Sequence, residues 1–322
     1  MTDYVDRLLE GDRRSAAKLI TLIENDCPEK EEVIKRVYPH TGKAHVIGVT
    51  GSPGAGKSSL IDRMVGVLRS EDLKVGVIAV DPSSPFSGGA LLGDRIRMQE
   101  HALDKNVFIR SMGTRGTLGG LSRATKDVVK VLDAFGCNVI LIETVGVGQT
   151  ELDIMNYADS TVVVLSPGGG DQIQTMKAGI MEIADIFVIN KCDTADITRI
   201  KTDIENMIDL SPLAGSWRPP VIPTSAFTGE GLDLLWLKLK DHKAFRVKDN
   251  NSATAAEKLK KELLEILNRK VMDKLNVSVL SNGKLEGLVS SVMNRNLDPY
   301  TAAEKLLEKL FASGKEHEKN EQ

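Results

Sequence analysis

Residues 45–58 read HVIGVTGSPGAGKS, a short apolar run that leads directly into a glycine-rich stretch. The last eight residues fit the pattern GxxxxGK[ST], in which backbone N–H groups surround phosphate oxygens. Gly51, Gly54 and Gly56 let the backbone turn inward, where a Cβ atom would obstruct the phosphate. A predicted helix over 57–70 follows. The stretch therefore predicts a phosphate-binding loop between a buried strand and a helix.

Several residues of this loop have an expected contact with a nucleotide. We expect Lys57 to bridge the β- and γ-phosphates, Ser58 to complete a Mg²⁺ shell, and Ser59 to touch the α-phosphate. The start of the helix adds its positive dipole end. A glycine-rich turn without a ligand is the alternative, and the flanking strand and helix argue against it. The predicted nucleotide-binding residues of the loop are Gly51, Ser52, Pro53, Gly54, Ala55, Gly56, Lys57, Ser58 and Ser59.

Seven short apolar runs alternate with amphipathic helical stretches downstream of residue 44. The runs are β-branched and lack strict alternation, as expected of strands that are buried on both faces. They cover residues 45–50, 74–80, 106–110, 138–143, 160–166, 185–190 and 220–225. The pattern predicts an α/β fold, with a mainly parallel sheet in a domain that spans 44–247.

The two ends of the chain differ from this domain. Residues 1–43 have apolar residues at helical spacing, and we expect an N-terminal helical extension in which Pro28 separates two helices. Residues 248–322 predict a C-terminal helical extension. Its predicted helices cover 253–277, 284–294 and 300–312.

Composition and charge exclude several classes of protein. The net charge of −3 provides no basic field for nucleic acid or an anionic membrane, so we expect neither partner. The N-terminus is too acidic for a targeting peptide and no apolar run is long enough to span a bilayer, which predicts a cytoplasmic location. Cys27, Cys137 and Cys192 are scattered without CxxC spacing, so we expect free thiols and no zinc site.

A second motif, DIFVINKCD at 185–193, predicts which base is bound. The Asp193 carboxylate would accept from N1–H and the exocyclic amine of guanine, groups that adenine does not present in this arrangement. We expect the Lys191 stem to lie over the base and Asn190 to tie its loop to the phosphate loop. A helix N-cap is the alternative for such a short match. A following loop would supply backbone N–H groups to the guanine O6, from Ser225, Ala226 and Phe227. In this order, the motifs predict a P-loop GTPase domain.

The segment NVILIETVGVGQTE (138–151) resembles a strand followed by a γ-phosphate-sensing loop. Glu143 ends the apolar run, and we expect it to face Mg²⁺ through water; a solvated loop acid is the alternative. Gly146 is placed to offer its N–H to the γ-phosphate. Val147 follows this glycine where a water-positioning Gln would be expected, and Gln149 lies two residues further on. We therefore expect slow intrinsic hydrolysis that a partner accelerates.

A first switch is expected within 77–98, VIAVDPSSPFSGGALLGDRIRM. Asp81 closes a buried strand and would approach Mg²⁺ or its water. Asp94 follows a glycine-rich stretch and would reach the metal when GTP orders the loop. Arg97 would neutralise phosphate charge, although an exposed helix arginine is the simpler interpretation. The predicted metal-binding residues are Ser58, Asp81, Asp94 and Glu143.

Five passages resemble the methylmalonyl-CoA mutase-associated GTPases, the MeaB/ArgK family. The two most discriminating are DPSSPFSGGALLGDR and ETVGVGQ. In chain order the passages are GVTGSPGAGKSSLID (48–62), VDPSSPFSGGALLGDRIRM (80–98), ETVGVGQTELDI (143–154), SPGGGDQIQTMKAGIMEIAD (166–185) and NKCD (190–193). The resemblance covers nearly the whole chain.

This resemblance implies a GTPase that chaperones a cobalamin-dependent acyl-CoA mutase, gating cofactor loading and protecting the mutase from inactivation. The implied cofactors are GTP or GDP and Mg²⁺. It also implies a homodimer, contacted partly through the C-terminal extension. A further switch would lie at 168–180, where Lys177 would respond to the partner and approach the nucleotide; a solvated helix lysine is the alternative. The sequence reads DQIQTMKAG where the family suggests DELQGIKKG.

Two rival functions share the phosphate loop. A metal-insertion GTPase needs a Cys/His cluster, which this sequence lacks. A small-molecule or transport-protein kinase remains the alternative function, although NKCD argues against an ordinary ATP-dependent kinase.

Overall fold

A seven-stranded parallel sheet forms the centre of the computed structural model, in the order β3-β2-β4-β1-β5-β6-β7. The strands are β1 His45–Gly51, β2 Val75–Asp81, β3 Val107–Gly113, β4 Val139–Thr144, β5 Ser160–Leu165, β6 Ile186–Ile189 and β7 Val221–Pro223. All seven predicted runs are strands, and the α/β fold is confirmed. The structure describes residues 2–81, 101, 103–113, 120–144, 157–167, 183–210, 217–248, 252–275, 284–306 and 308.

The described helices alternate with these strands and flank them at both ends of the chain. They are α1 Thr2–Leu9, α2 Arg13–Glu24, α3 Lys30–Val37, α4 Lys57–Ser70, α5 Gly120–Ala134, α6 Thr198–Leu210, α7 Leu232–Lys248, α8 Ser252–Leu275 and α9 Lys284–Met293. The helix predicted over 57–70 has these bounds in the structure. None of the described helices is long and apolar enough to cross a membrane.

The N-terminal segment forms three helices where the sequence predicted two. Pro28 lies between α2 and α3, as expected. The first predicted helix is interrupted at Gly11, whose φ is +90°, and at Asp12, whose carboxylate accepts hydrogen bonds from the Arg14 and Ser15 N–H groups. A glycine in the left-handed region ends α1, and an N-cap then begins α2.

These N-terminal helices pack on the sheet. Leu19 and Ile23 of α2 share one buried cluster with Val46, Ile78 and Ile140, which lie on three adjacent strands. Met1–Asp249 accordingly forms one compact unit, so the division at 43/44 drawn from the sequence does not coincide with a boundary between units. A second compact unit covers Asn250–Gln322. Its described parts are α8, α9 and a helical stretch over 299–306.

The other face of the sheet carries α4 and α7. Successive residues of a strand point to opposite faces, so Ile47 and Val49 face away from Val46. They share a buried cluster with Leu60 of α4 and Leu235 of α7. The central strands are therefore covered on both sides, which explains why their sequences are continuous apolar runs.

A buried polar cluster joins α7 to the amino end of the sheet. The Ser160 Oγ lies 2.9 Å from the His45 Nε2 and 2.8 Å from the His242 Nδ1, so one hydroxyl links β1, β5 and α7. His242 Nε2 lies 3.3 Å from the Asp185 carboxylate. Burial lowers the pKa of His45 to about 3, and the ring is neutral at neutral pH.

Candidate nucleotide-binding site

The phosphate loop joins the end of β1 to the start of α4 at the carboxyl edge of the sheet. Gly51 has a φ of +142°, and a Cβ there would lie 2.1 Å from the Val164 carbonyl oxygen of the neighbouring strand. Gly56 has a φ of +88°, and its Cβ would lie 2.4 Å from the Asn190 Nδ2. Both positions need glycine because protein atoms already occupy the space that a side chain would take.

Lys57 lies inside this loop. Its ammonium group donates to the Gly51 carbonyl oxygen at 2.7 Å and to the Ser52 carbonyl oxygen at 3.1 Å. Burial lowers the pKa of Lys57, and the nearby Glu143 charge acts in the opposite direction. A buried ammonium group inside a loop of backbone groups is suited to bind the oxygens of a polyphosphate.

Ser58 and Glu143 place two oxygen ligands beside the loop. The Ser58 hydroxyl donates to the Glu143 Oε1 at 2.6 Å, and Glu143 is 4% exposed at the end of β4. The register of β1 and β4 pairs Val49 with Glu143, which brings this carboxylate to the phosphate loop. A hydroxyl and a carboxylate are ligands that a hard divalent cation prefers.

A second contact between the same two strands was not predicted from the sequence. The Thr144 hydroxyl donates to the Thr50 hydroxyl at 3.0 Å, and both side chains are buried. Thr50 directly precedes the phosphate loop, and Thr144 directly follows Glu143. The pairing of β1 with β4 could not be read from the sequence, so nothing there indicated that these hydroxyls meet.

The switch residues are described only in part. Asp81 is the last residue of β2, and the register pairs the preceding Val80 with Thr144 of β4. Its backbone therefore lies at the same edge of the sheet as Glu143, while its side chain lies outside the described residues. Asp94, Arg97, Gly146 and Lys177 also lie outside them.

Asn190 connects the phosphate loop to the loops that follow β6 and β7. Its side-chain N–H₂ donates to the carbonyl oxygens of Ala55 at 2.9 Å and Gly56 at 3.4 Å. Its carbonyl oxygen accepts from the Ala226 N–H at 3.2 Å and the Thr224 hydroxyl at 3.4 Å. This is the tie between loops that the sequence predicted, and it includes the 225–227 loop as well.

Lys191 and Asp193 lie beside this tie. Lys191 has a φ of +62°, and its ammonium group donates to the Gly54 carbonyl oxygen at 2.8 Å. Asp193 is exposed. The Ser225 side chain is buried, and its hydroxyl oxygen accepts from the Thr228 N–H at 3.1 Å. Phe227 is 84% exposed. The structure thus brings the NKCD segment, the phosphate loop and the 225–227 loop together at one edge.

Comparisons with known proteins give a consistent result. A family model described as methylmalonyl-CoA mutase-associated GTPase MeaB matches residues 16–283. A protein of Pyrococcus horikoshii is 52% identical over 317 residues, which are 96% of this chain and 98% of that protein. The GTPase ArgK of Escherichia coli is 33% identical over 321 residues, 96% of each chain.

Two further matches extend the comparison. A mouse protein named methylmalonic aciduria type A homolog, mitochondrial, is 39% identical over 260 residues, covering 74% of this chain and 63% of that protein. A solved structure of a LAO/AO transport system kinase has a TM-score of 0.69 at 27% identity, covering 95% of this chain and 96% of the other.

The glycine geometry of the loop generates a first prediction. Gly51→Ala should lower the free energy of unfolding by about 3 kcal/mol or more, because the new Cβ would collide with backbone of the adjacent strand. Gly54→Ala should cost only about 1–2 kcal/mol, because its φ is +77° but no atom lies within 4 Å of the added Cβ. Denaturant unfolding followed by circular dichroism measures both.

Gly66→Ala is the matched control for these two substitutions. Gly66 lies within α4 and has no atom within 4 Å of an added Cβ, so alanine should stabilise the protein by about 0.5–1 kcal/mol. Equal losses for Gly51→Ala and Gly54→Ala would contradict the proposed role of the β5 contact.

Proposed function

The chain belongs to the methylmalonyl-CoA mutase-associated GTPase family, and we propose that it is a GTP-hydrolysing chaperone of a cobalamin-dependent acyl-CoA mutase. The observation that carries the nucleotide part of this proposal is the Asn190 carboxamide, which joins the phosphate loop to both predicted base loops. The family match over residues 16–283 supports the chaperone part.

Guanine is the base that these loops are suited to bind. The exposed Asp193 carboxylate would accept from N1–H and the exocyclic amine of guanine, while adenine offers an acceptor at N1 and lacks that amine. The stem of Lys191, which already reaches Gly54, would lie over the base. Backbone N–H groups of residues 225–227 would donate to the guanine O6.

The same edge of the sheet would support hydrolysis. Ser58 and Glu143, whose oxygens lie 2.6 Å apart, would hold Mg²⁺, which supplies charge neutralisation at the β- and γ-phosphates when bound. Lys57 would neutralise the β–γ bridge from inside the loop. Asp81, Asp94 and Arg97 are proposed switch residues, and Gly146 would donate its N–H to the γ-phosphate. Val147 follows Gly146 at the place where a water-positioning Gln would be expected, so we expect slow intrinsic turnover.

The partner is proposed from the family. The matching model is described by its association with methylmalonyl-CoA mutase, and the mouse relative is named for methylmalonic aciduria. The segment 168–180, with Lys177, would respond to the mutase and communicate with the nucleotide. Such a coupling would allow GTP binding and hydrolysis to follow cofactor loading.

A kinase is the alternative, and one comparison favours it by name. The solved structure at a TM-score of 0.69 is that of a transport system kinase. Its identity of 27% is lower than the 33% shared with the GTPase ArgK. We favour the GTPase because Asn190 ties the NKCD segment to the phosphate loop, as a guanine-binding loop would require.

The apolar stripe of α8 supports a homodimer. Leu259, Leu263, Ile266 and Leu267 follow one another at helical spacing, and each is 45–59% exposed. The helix has 24 residues, about 36 Å at 1.5 Å per residue. An exposed apolar stripe of this length needs a partner, and we propose that a second copy of the chain supplies it.

The base assignment predicts a change of nucleotide in one substitution. Asp193→Asn should weaken GTP binding by about 10- to 100-fold, because two hydrogen bonds to a charged group are lost. It should improve binding of xanthosine triphosphate, whose C2 carbonyl accepts from the new amide. Competition against a mant-labelled nucleotide measures both affinities.

Asp196→Asn is the matched control in the same loop. Asp196 is also exposed and accepts from the Thr198 N–H at 2.9 Å, a cap that Asn can replace. It should leave the preference for GTP unchanged. Wild-type GTP affinity in Asp193→Asn would show that residues 190–193 do not bind the base.

The chaperone proposal predicts that GTP turnover depends on a partner. The isolated protein should hydrolyse GTP slowly, and addition of the cobalamin-dependent mutase of the same organism should raise the rate by about tenfold or more. A phosphate-release assay measures the rate, and Lys57→Ala should remain inactive with and without the mutase. Fast turnover of the isolated protein with no gain from the mutase would refute this proposal.

The dimer proposal predicts a change of mass in solution. Glutamate at both Leu263 and Leu267 should convert a dimer into a monomer, because two charges would be buried in an apolar interface. Multi-angle light scattering measures the mass. Leu103→Glu is the control, since Leu103 is 93% exposed and lies outside the stripe. A monomeric wild-type chain, or a dimeric double variant, would contradict the proposal.

A further inference from the structure

The loop over 225–230, between β7 and α7, contains a contact whose role goes beyond holding the loop in place. We propose that Arg63 of α4 is a positioning residue, which orients this loop so that the Phe227 N–H donates a hydrogen bond to the guanine O6. The inference rests on the proposed function, because it requires guanine to be the bound base. It adds the side chain that orients one of the donors to O6.

Most backbone donors of the loop are already hydrogen-bonded within the protein. Of the six N–H groups in 225–230, five donate to other protein groups within the described part of the chain. These are the N–H groups of Ser225, Ala226, Thr228, Gly229 and Glu230. In that same part of the chain, the Phe227 N–H has no protein acceptor. An amide donor needs an acceptor, so this N–H is the one that the loop leaves to a ligand or to water.

Both backbone polar groups of Ala226 are hydrogen-bonded. Its N–H donates to the Asn190 Oδ1 at 3.2 Å. Its carbonyl oxygen accepts from the Arg63 Nε at 3.0 Å. The amide of Ala226 is therefore used by Asn190 in this structure, whereas the Phe227 N–H is not used.

The geometry of the peptide bond links Arg63 to the Phe227 N–H. In a trans peptide the carbonyl of one residue and the N–H of the next point in opposite directions. Arg63 fixes the carbonyl of Ala226, so it also fixes the direction of the Phe227 N–H. Without Arg63, this peptide plane could rotate, and the Phe227 N–H would no longer point in a fixed direction.

The position of Arg63 on α4 strengthens this interpretation. The helix begins at Lys57 in the phosphate loop, and Arg63 lies one turn beyond Ser59 on the same side. One rigid element therefore carries both the phosphate contacts and the residue that orients the base loop. The helix therefore links the position of the phosphate loop to that of the 225–230 loop.

The chemistry of the base explains why this orientation would matter for specificity. Guanine presents an acceptor at O6, whereas adenine presents an amine at the equivalent position. A fixed N–H donor would therefore attract guanine and oppose adenine. Arg63 itself is exposed, so solvent screens its charge and the charge contributes little to nucleotide binding. The effect of Arg63 on specificity would come from its orientation of the Phe227 N–H.

The test compares nucleotides that differ at O6 with nucleotides that differ elsewhere. In 6-thio-GTP a sulfur, which is a weak acceptor, replaces O6, while inosine triphosphate keeps O6 and lacks the exocyclic amine. Arg63→Ala should weaken GTP binding by about 3- to 10-fold and reduce the preference for GTP over 6-thio-GTP by the same factor. The preference for GTP over inosine triphosphate should not change. Competition against mant-labelled GTP measures all three affinities.

Two further variants serve as controls. Arg63→Lys should retain the preference for GTP over 6-thio-GTP, because the lysine ammonium can still donate to the Ala226 carbonyl. Arg218→Ala should change no affinity, because Arg218 is an exposed arginine paired with Asp209 on the surface. If Arg63→Ala weakened all three nucleotides equally, Arg63 would only stabilise the loop, and the proposal would be overturned.

The outcome for Asp193→Asn separates this inference from the proposed function. If that substitution shifts the preference toward xanthosine triphosphate while Arg63→Ala leaves the 6-thio-GTP ratio unchanged, guanine is bound and the Arg63 inference alone fails. If Asp193→Asn has no effect on base preference, the proposed guanine site fails and the inference fails with it.

Discussion

The carboxamide of Asn190 determines how the parts of the site fit together, because among the described residues it is hydrogen-bonded to both the phosphate loop and the 225–227 loop. It is 1% exposed, and its donors and acceptor are used by Ala55, Gly56, Thr224 and Ala226. A carboxylate of the same shape could not donate to the two carbonyl groups, and an apolar residue would remove a hydrogen-bond partner from each of the four groups. Gly56 is its complement, since only a residue without a Cβ lets the carboxamide approach so closely.

The order of the strands explains why these distant segments meet. β1 lies between β4 and β5, so the sheet extends from the phosphate loop in both directions. In such sheets, ligands bind beyond the carboxyl ends of the strands where the direction of winding changes. β4 delivers Glu143 to one side of the loop, while β6 and β7 deliver Asn190 and Ser225 to the other. The residue proposed to hold the metal is thereby separated from those proposed to bind the base, with the phosphate loop between them.

Much of this arrangement could be predicted from the sequence, for physical reasons that differ between elements. The strands were predicted because burial on both faces makes each a continuous apolar run. The positions of the loop residues were predicted because each motif directly follows such a run. The break at Gly11 and Asp12 was missed although a glycine and a cap residue mark it. The contacts Thr50–Thr144 and Arg63–Ala226 could not be predicted, since they depend on strand register and helix orientation, which no local pattern specifies.

The loop over 225–230 is held by the fold on both of its sides, and this affects how the loop would bind a base. On one side, the Thr224 N–H donates to the Ile189 carbonyl, continuing the pairing of β7 with β6. On the other side, α7 packs through Leu235 on α4 and the sheet, and its His242 is hydrogen-bonded to Ser160 at the opposite edge. The loop between them has little freedom to lose. A base that binds there would not have to order the loop first, so more of the interaction energy would remain for affinity and for discrimination between bases.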